Sequence, residues 1–275
     1  MRFLRFGAVG SERPGVLDDN GALRDISDSV GDLAGAALDR LDAIDPRQFP
    51  LVDGTPRLGM PVAHVGKYIC VGMNYTDHAR ENGMQPPREP IIFLKATSAL
   101  CGPTDRIDLP KGSQKADWEV ELGVVIGRHG KNITEADALS HVAGYVTVND
   151  LSDREFQIER AGQWTKGKSA DTFGPVGPWL VTPDEAGDPQ NMTLRTWVNG
   201  KIMQDGHTSN MIFPVVRLIS YVSQFMSLHP GDIIATGSPS GVGMGRRPQV
   251  YLKPGDVVEA EVGVLGRQRQ EVFAP

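Results

Sequence analysis

Cysteine is nearly missing from this 275-residue chain, which carries only Cys70 and Cys101. Two thiols build neither a disulfide framework nor a thiolate zinc site. Long apolar runs are missing too, and no stretch approaches the roughly 18–20 residues of a membrane span. The opening Met1-Arg2-Phe3-Leu4-Arg5-Phe6-Gly7 lacks an apolar run of signal-peptide length, so a cytoplasmic protein is expected. Nor is there an excess of positive charge. Against 28 Lys and Arg stand 34 Asp and Glu, a formal charge of −6. That balance gives no general attraction to nucleic acid or to an anionic membrane. An anionic substrate would need a local reversal of sign, which a bound cation supplies.

The chain does have 40% hydrophobic residues, enough for a substantial core. Residues 1–62 read as a small N-terminal α+β domain. Arg2–Val9 has strand character, Gly15–Leu23 a hairpin turning at Asn20-Gly21, and Leu33, Ala37, Leu38 and Leu41 one face of a short helix. A Pro- and Gly-rich passage from Pro46 to Pro61 reads as a linker. Residues 63–275 are β-rich. Strands are expected at Tyr68–Met73, Ile91–Leu94, Trp118–Ile126, Gly144–Val148, Leu194–Val198, Asp232–Thr236 and Val257–Val262. Helices are expected at Tyr75–Asn82, Ser152–Arg160 and Pro214–Phe225, the last with Val215, Leu218, Ile219 and Val222 on one stripe. The alternation is too irregular for a doubly wound sheet and points to a β-rich α+β fold.

Gly162-Gln163-Trp164-Thr165-Lys166-Gly167-Lys168-Ser169 satisfies the phosphate-loop pattern, but its context fails. Such a loop needs a strand before it and a helix after it. Here a polar helix is expected before it, and Gly174-Pro175 breaks any helix beyond. Gly241-x-Gly243-x-Gly245 is followed by Arg246-Arg247-Pro248, which cannot open a dinucleotide-binding helix.

The most informative segment is Asp117-Trp118-Glu119-Val120-Glu121-Leu122. On a strand, Glu119 and Glu121 face one way, with carboxylates about 6–7 Å apart. Locally this fits either a solvated acidic face or a cation site. Asp150 ends a second apolar strand and could meet both, and three such oxygens suit a hard octahedral cation. In Asn74-Tyr75-Thr76-Asp77-His78-Ala79-Arg80-Glu81, His78 and Glu81 stand at i and i+3 on one helical face. A carboxylate holding one imidazole nitrogen leaves the other to take a proton from water, although surface His–Glu pairs are also common.

Taken in order, five segments resemble the fumarylacetoacetate hydrolase family over about residues 65–265. They are Asn74-Tyr75-x-x-His78-x-x-Glu81, Glu119-x-Glu121, Asn149-Asp150-x-Ser152-x-Arg154-x-x-Gln157, Gly167-Lys168-Ser169 and Thr236-Gly237-Ser238-Pro239-Ser240-Gly241-Val242-Gly243. The resemblance implies a mixed β-sandwich or roll and a homodimer. It implies Glu119, Glu121 and Asp150 as ligands of Mg²⁺, with Mn²⁺ or Ca²⁺ able to substitute. His78 and Glu81 are implied as the water-activating dyad, and Lys168 as the stabiliser of developing negative charge. Gln157, Thr236, Tyr75 and Lys95 are implied as substrate contacts, although Ala96 replaces a proline usual beside Lys95 in the family. The implied activity is metal-dependent hydrolysis of a carbon–carbon bond in a 2,4-dioxo acid, an acylpyruvate or a 2,4-dioxo-3-deoxy sugar acid, releasing pyruvate or a related 2-oxo acid. Isomerisation of a 2-hydroxy-diene-dioate and decarboxylation of an oxaloacetate-like acid are alternatives within the same family.

Overall fold

A computed structural model describes residues 1–81 and 83–274. Its largest element is a ten-stranded sheet. In spatial order it runs Leu23–Asp25, Arg13–Leu17, Arg2–Phe6, Leu180–Val181, Val142–Asn149, Val120–Ile126, Ile233–Ala235, Tyr68–Gly72 and Ile91–Lys95, and Leu58–Gly59 also pairs with Arg2–Phe6. A five-stranded sheet runs Lys201–His207, Thr193–Val198, Val257–Val262, Arg267–Phe273 and Ile107–Asp108. The fold is β-rich α+β, as expected.

The central strands are buried on both faces, and their alternation sends side chains into two cores. Ile69, Val71, Val120, Leu122 and Val124 pack with Leu194, Ala260 and Val262 of the second sheet and with one side of the Val215–Phe225 helix. Tyr68, Cys70, Val125, Val146 and Val148 turn the other way, onto Phe3, Val16, Ile26, Leu33, Leu38 and Leu41. The stripe expected on the long helix is the buried one: Val215, Leu218, Ile219 and Val222.

The segment expected as a separate small domain shares this sheet and this core. Arg2 pairs with Val181 and Phe3 with Leu180. Two local expectations need correction. The helix placed on Leu33–Leu41 is a pair of 3₁₀ turns, Gly35–Asp39 and Leu41–Ala43, although Leu33, Leu38 and Leu41 are buried as the pattern demands. Ser152–Arg160 is a strand bridge, Ser152–Asp153 against Ala116–Asp117, followed by a π-helical turn at Glu155–Glu159. Asp153 accounts for the change, because its carboxylate accepts from Ser113 Oγ and the Phe156 amide and so ends one element while opening the next. The helix expected over Tyr75–Asn82 covers Thr76–Glu81, and Asn82 lies outside the described residues. At the expected Asn199-Gly200 turn both residues have positive φ, 51° and 74°. That geometry closes the hairpin between Thr193–Val198 and Lys201–His207 with the right twist.

Candidate metal and active site

Glu119 precedes the Val120–Ile126 strand by one residue, Glu121 lies within it, and Asp150 follows the end of Val142–Asn149. Antiparallel pairing of Val120 with Asn149 brings the three together. The Asp150 amide donates to Glu119 O at 2.8 Å, and the Glu119 amide donates to Asn149 Oδ1 at 3.0 Å. One carboxylate oxygen from each acid lies within 4.8 Å of the others. All three side chains are buried, which removes the solvated-face reading.

Three buried cations surround them. Lys168 Nζ reaches Glu119 Oε2 at 2.6 Å and Asp150 Oδ2 at 2.7 Å. Lys95 Nζ reaches Asp150 Oδ1 at 2.5 Å and the Leu151 carbonyl at 2.9 Å. Arg154 reaches Glu119 Oε1 at 2.6 Å and Asp117 Oδ2 at 2.8 Å. Burial works to raise Glu119, but Arg154, Lys168 and His78 overcome it and hold the carboxyl below the usual range. Glu121 goes the other way. Burial first, then the charges of Asp150 and Glu119, push it well above that range. Among the described residues, the Gly237 amide donates to it at 2.8 Å. A buried carboxylate so poorly neutralised, with its oxygens beside two others, fits a hard divalent cation. Burial works against a charged Lys168, yet Asp150 and Glu119 keep it protonated.

A cavity of about 260 Å³ opens over the three acids. His78, Gln157 and Lys168 also line it. His78 Nδ1 lies 3.2 Å from Glu81 Oε2, and Glu81 Oε1 accepts from the Gly241 amide at 2.9 Å. Asp77 accepts from Ser240 Oγ at 3.1 Å, so the Thr76–Glu81 helix is moored twice to the Gly237–Gly245 loop. A larger depression, about 750 Å³ around Arg2, Asp18, Arg47 and Glu185, lies away from this convergence of groups.

Two expected substrate contacts sit elsewhere. Tyr75 is wholly buried in the core among Val71, Val120 and Val215 and does not line the cavity. Thr236 gives its hydroxyl hydrogen to the Leu122 carbonyl at 2.9 Å, and its successor Gly237 is what holds Glu121. Lys95, 3% exposed, touches Asp150 from outside the lining. The phosphate-loop lookalike is a single helical turn, Thr165–Lys168, following the π-turn. Gly167 has no room for a side chain, since a Cβ there would lie 2.4 Å from Asp153 O and 2.5 Å from Gln157 N. That close approach carries Lys168 to the acids. Sequence reading missed Arg154 and Asp117 as members of the site. An arginine three residues before Gln157, in a segment that also carries Asp150 and Asp153, was the available signal.

Fold and site together describe a cavity ringed by three buried carboxylates that could hold a metal ion. The profile of the fumarylacetoacetate (FAA) hydrolase C-terminal domain matches residues 67–273, and the chain belongs to the fumarylacetoacetate hydrolase family. A relative from Burkholderia cenocepacia, named "Putative hydrolase", is 56% identical over 276 residues, with 98% of each chain covered. Among solved structures, a fumarylacetoacetate hydrolase from Exiguobacterium antarcticum is similar with a TM-score of 0.88 and 36% identity, each chain fully covered. A maleylpyruvate hydrolase from Sphingobium, solved with manganese(II) and pyruvate, gives 0.82 and 28%, covering 100% of this chain and 99% of that one. A 5-carboxymethyl-2-hydroxymuconate delta-isomerase from Mycobacterium smegmatis gives 0.79 and 33%, with 100% and 99% covered.

Proposed function

We propose that the protein hydrolyses a carbon–carbon bond in a 2,4-dioxo acid, an acylpyruvate or a 2,4-dioxo-3-deoxy sugar acid, and releases pyruvate or a related 2-oxo acid. One observation carries this reading: the Glu119, Glu121 and Asp150 oxygens cluster within 4.8 Å beneath the cavity that His78 lines. Those three acids would hold Mg²⁺, with Mn²⁺ or Ca²⁺ as substitutes, and the ion supplies Lewis acidity toward the 2-oxo acid head.

The remaining work falls to the chain. His78, oriented through Nδ1 by Glu81, takes a proton from water as the oxygen attacks the 4-oxo carbon. The C3–C4 bond then breaks, and its electron pair passes into the head as an enolate. Lys168 lies 2.6–2.7 Å from Glu119 and Asp150, so its fixed positive charge is already in place when that charge develops. Protonation at C3 gives the 2-oxo acid, and the tail leaves as a carboxylic acid. Gln157 lines the cavity with its oxygen accepting from Arg154 at 3.0 Å, which fixes the amide for a substrate contact.

A substrate screen with Mg²⁺ that couples pyruvate to lactate dehydrogenase tests the reading. Cleavage should vanish in Glu119→Gln and Asp150→Asn. His78→Ala should lose hydrolysis yet retain the metal in a calorimetric titration. Full hydrolysis by His78→Ala would exclude the assigned base. A second reading, isomerisation or decarboxylation with the same enolate, draws on the likeness to the delta-isomerase. Carbon dioxide release, or an ultraviolet change without pyruvate, would favour it. The cysteine-poor composition also leads us to propose a cytoplasmic location, and the family resemblance a homodimer, with light scattering as the check on assembly.

A further inference from the structure

Beyond the ionic groups, Met73, Met84, Ile91, Phe93, Trp164 and Met244 line the cavity. Phe93 and Trp164 meet edge to face with centroids 5.3 Å apart. Gly72 makes room for the indole, since a Cβ there would lie 2.5 Å from Trp164. Three methionines give this wall a shape that adapts to its guest.

The lysine and arginine groups of the lining are already committed. Among the described lining residues the only lysine or arginine side chains are Lys168 and Arg154. Lys168 holds Glu119 and Asp150. Arg154 uses Nε on Asp117, Nη1 on Gln157 and Nη2 on Glu119. Ser238 donates to the Val120 carbonyl and accepts from Gln204 Nε2. A second carboxylate entering this space would leave water and meet no uncommitted cation, and a run of hydroxyls would meet few partners. An alkyl or phenyl group loses nothing and gains contact with thioethers and rings.

We infer that the substrate carries a single carboxylate, at its 2-oxo end, and an uncharged apolar tail of a few carbons or one phenyl ring. A volume of about 260 Å³ lies at the small end for ligand cavities and suits that size. The inference rests on the proposed 2-oxo acid reading for the head, while the tail is argued from the wall alone. Within the 2,4-dioxo acids it selects acylpyruvates over dioates and sugar acids.

Two arms separate the claims. In the first, calorimetric titration of the Mg²⁺-loaded protein compares 2-oxohexanoate with 2-oxoadipate, which differ only in a terminal methyl or carboxylate. In the second, the pyruvate-coupled assay compares 2,4-dioxoheptanoate with 2,4-dioxoheptanedioate. The methyl-ended acid should bind at least tenfold more tightly and be cleaved with at least tenfold higher kcat/KM. Ile158, 48% exposed at the cavity, provides a gain-of-function variant. Ile158→Lys should tighten 2-oxoadipate and shrink the wild-type ratio at least threefold. Apolar-tail preference in binding with no cleavage would sink the hydrolase reading and leave the tail inference standing. Cleavage that favours the dioate would do the reverse. Equal or tighter binding of 2-oxoadipate, or binding of neither acid, overturns the inference.

Discussion

Replacing Gly245 with alanine perturbs the His78–Glu81 pair without altering either residue. Gly245 ends a 3₁₀ turn and is not one of the positive-φ glycines, so alanine fits its backbone. A Cβ there would lie 2.3 Å from Glu81 Cδ. Non-bonded carbons settle at about 3.5–4.0 Å, so the Glu81 carboxyl group must retreat by roughly 1 Å or more. The contact to His78 Nδ1 already spans 3.2 Å and the one to the Gly241 amide 2.9 Å, so such a retreat breaks at least one of them. Misplacing a catalytic group by about 1 Å can cost up to a hundredfold in rate, and a fall of about 10–100-fold in kcat is expected with KM nearly unchanged. Stability should change little, because a lost hydrogen bond is worth about 1 kcal/mol, or about 2–4 °C in thermal midpoint for a chain of this size. The measurement is steady-state turnover of the dioxo acid found in the coupled screen, beside a thermal melt. Wild-type kcat in Gly245→Ala would refute the orienting role of Glu81, and a collapse of the melt would show the loop to be structural instead.

Other expectations concern the metal, the core and the thiols. Chelator treatment should abolish turnover, and Mg²⁺ or Mn²⁺ should restore it. At a metal concentration 100-fold above Kd the fold should gain about 2.7 kcal/mol, read as a raised melting temperature, and undiminished turnover after chelation would refute the site. Leu218→Ala, on the buried stripe of the long helix, should cost about 2–5 kcal/mol in urea unfolding. Arg217→Ala on the exposed side should stay within about 0.5 kcal/mol, and equal losses would reject the assigned faces. Burial, the largest cause in each case, raises the Cys70 and Cys101 thiols well above the ordinary range, so both stay protonated at pH 8. A disulfide reagent should label them slowly in the native protein and rapidly in urea. Fast native labelling would contradict the packing.

What the sequence revealed follows from which physical signals are local. The Val215–Phe225 helix was readable because one stripe repeats every three to four residues, and the hairpin that Thr193–Val198 opens because Asn199-Gly200 fits a single turn type. Glu119, Glu121, Asp150, Lys168 and His78 were found through ordered motifs, and the structure places them around one cavity. Pairings between distant segments left no such trace. Arg2–Phe6 lies beside Leu180–Val181 although about 180 residues intervene, and no local periodicity encodes that choice. The Glu155–Glu159 turn was misread because its polar residues look helical while Asp153, one strand bridge earlier, sets a different geometry. Tyr75 and Thr236 stand inside motifs that reach the site, yet their own side chains serve the packing beneath it.

The splice between the first strand and Leu180–Val181 bears on how the protein can be handled. A version beginning near residue 63 would strip Phe3, Val16, Ile26 and Leu38 from a core they share with Val146 and Val148. It would also leave the backbone of Leu180–Val181 open along one side, an invitation to pair with another chain. Such a trimmed protein would tend to clump during expression, and supplying the missing strands as a separate peptide should rescue it.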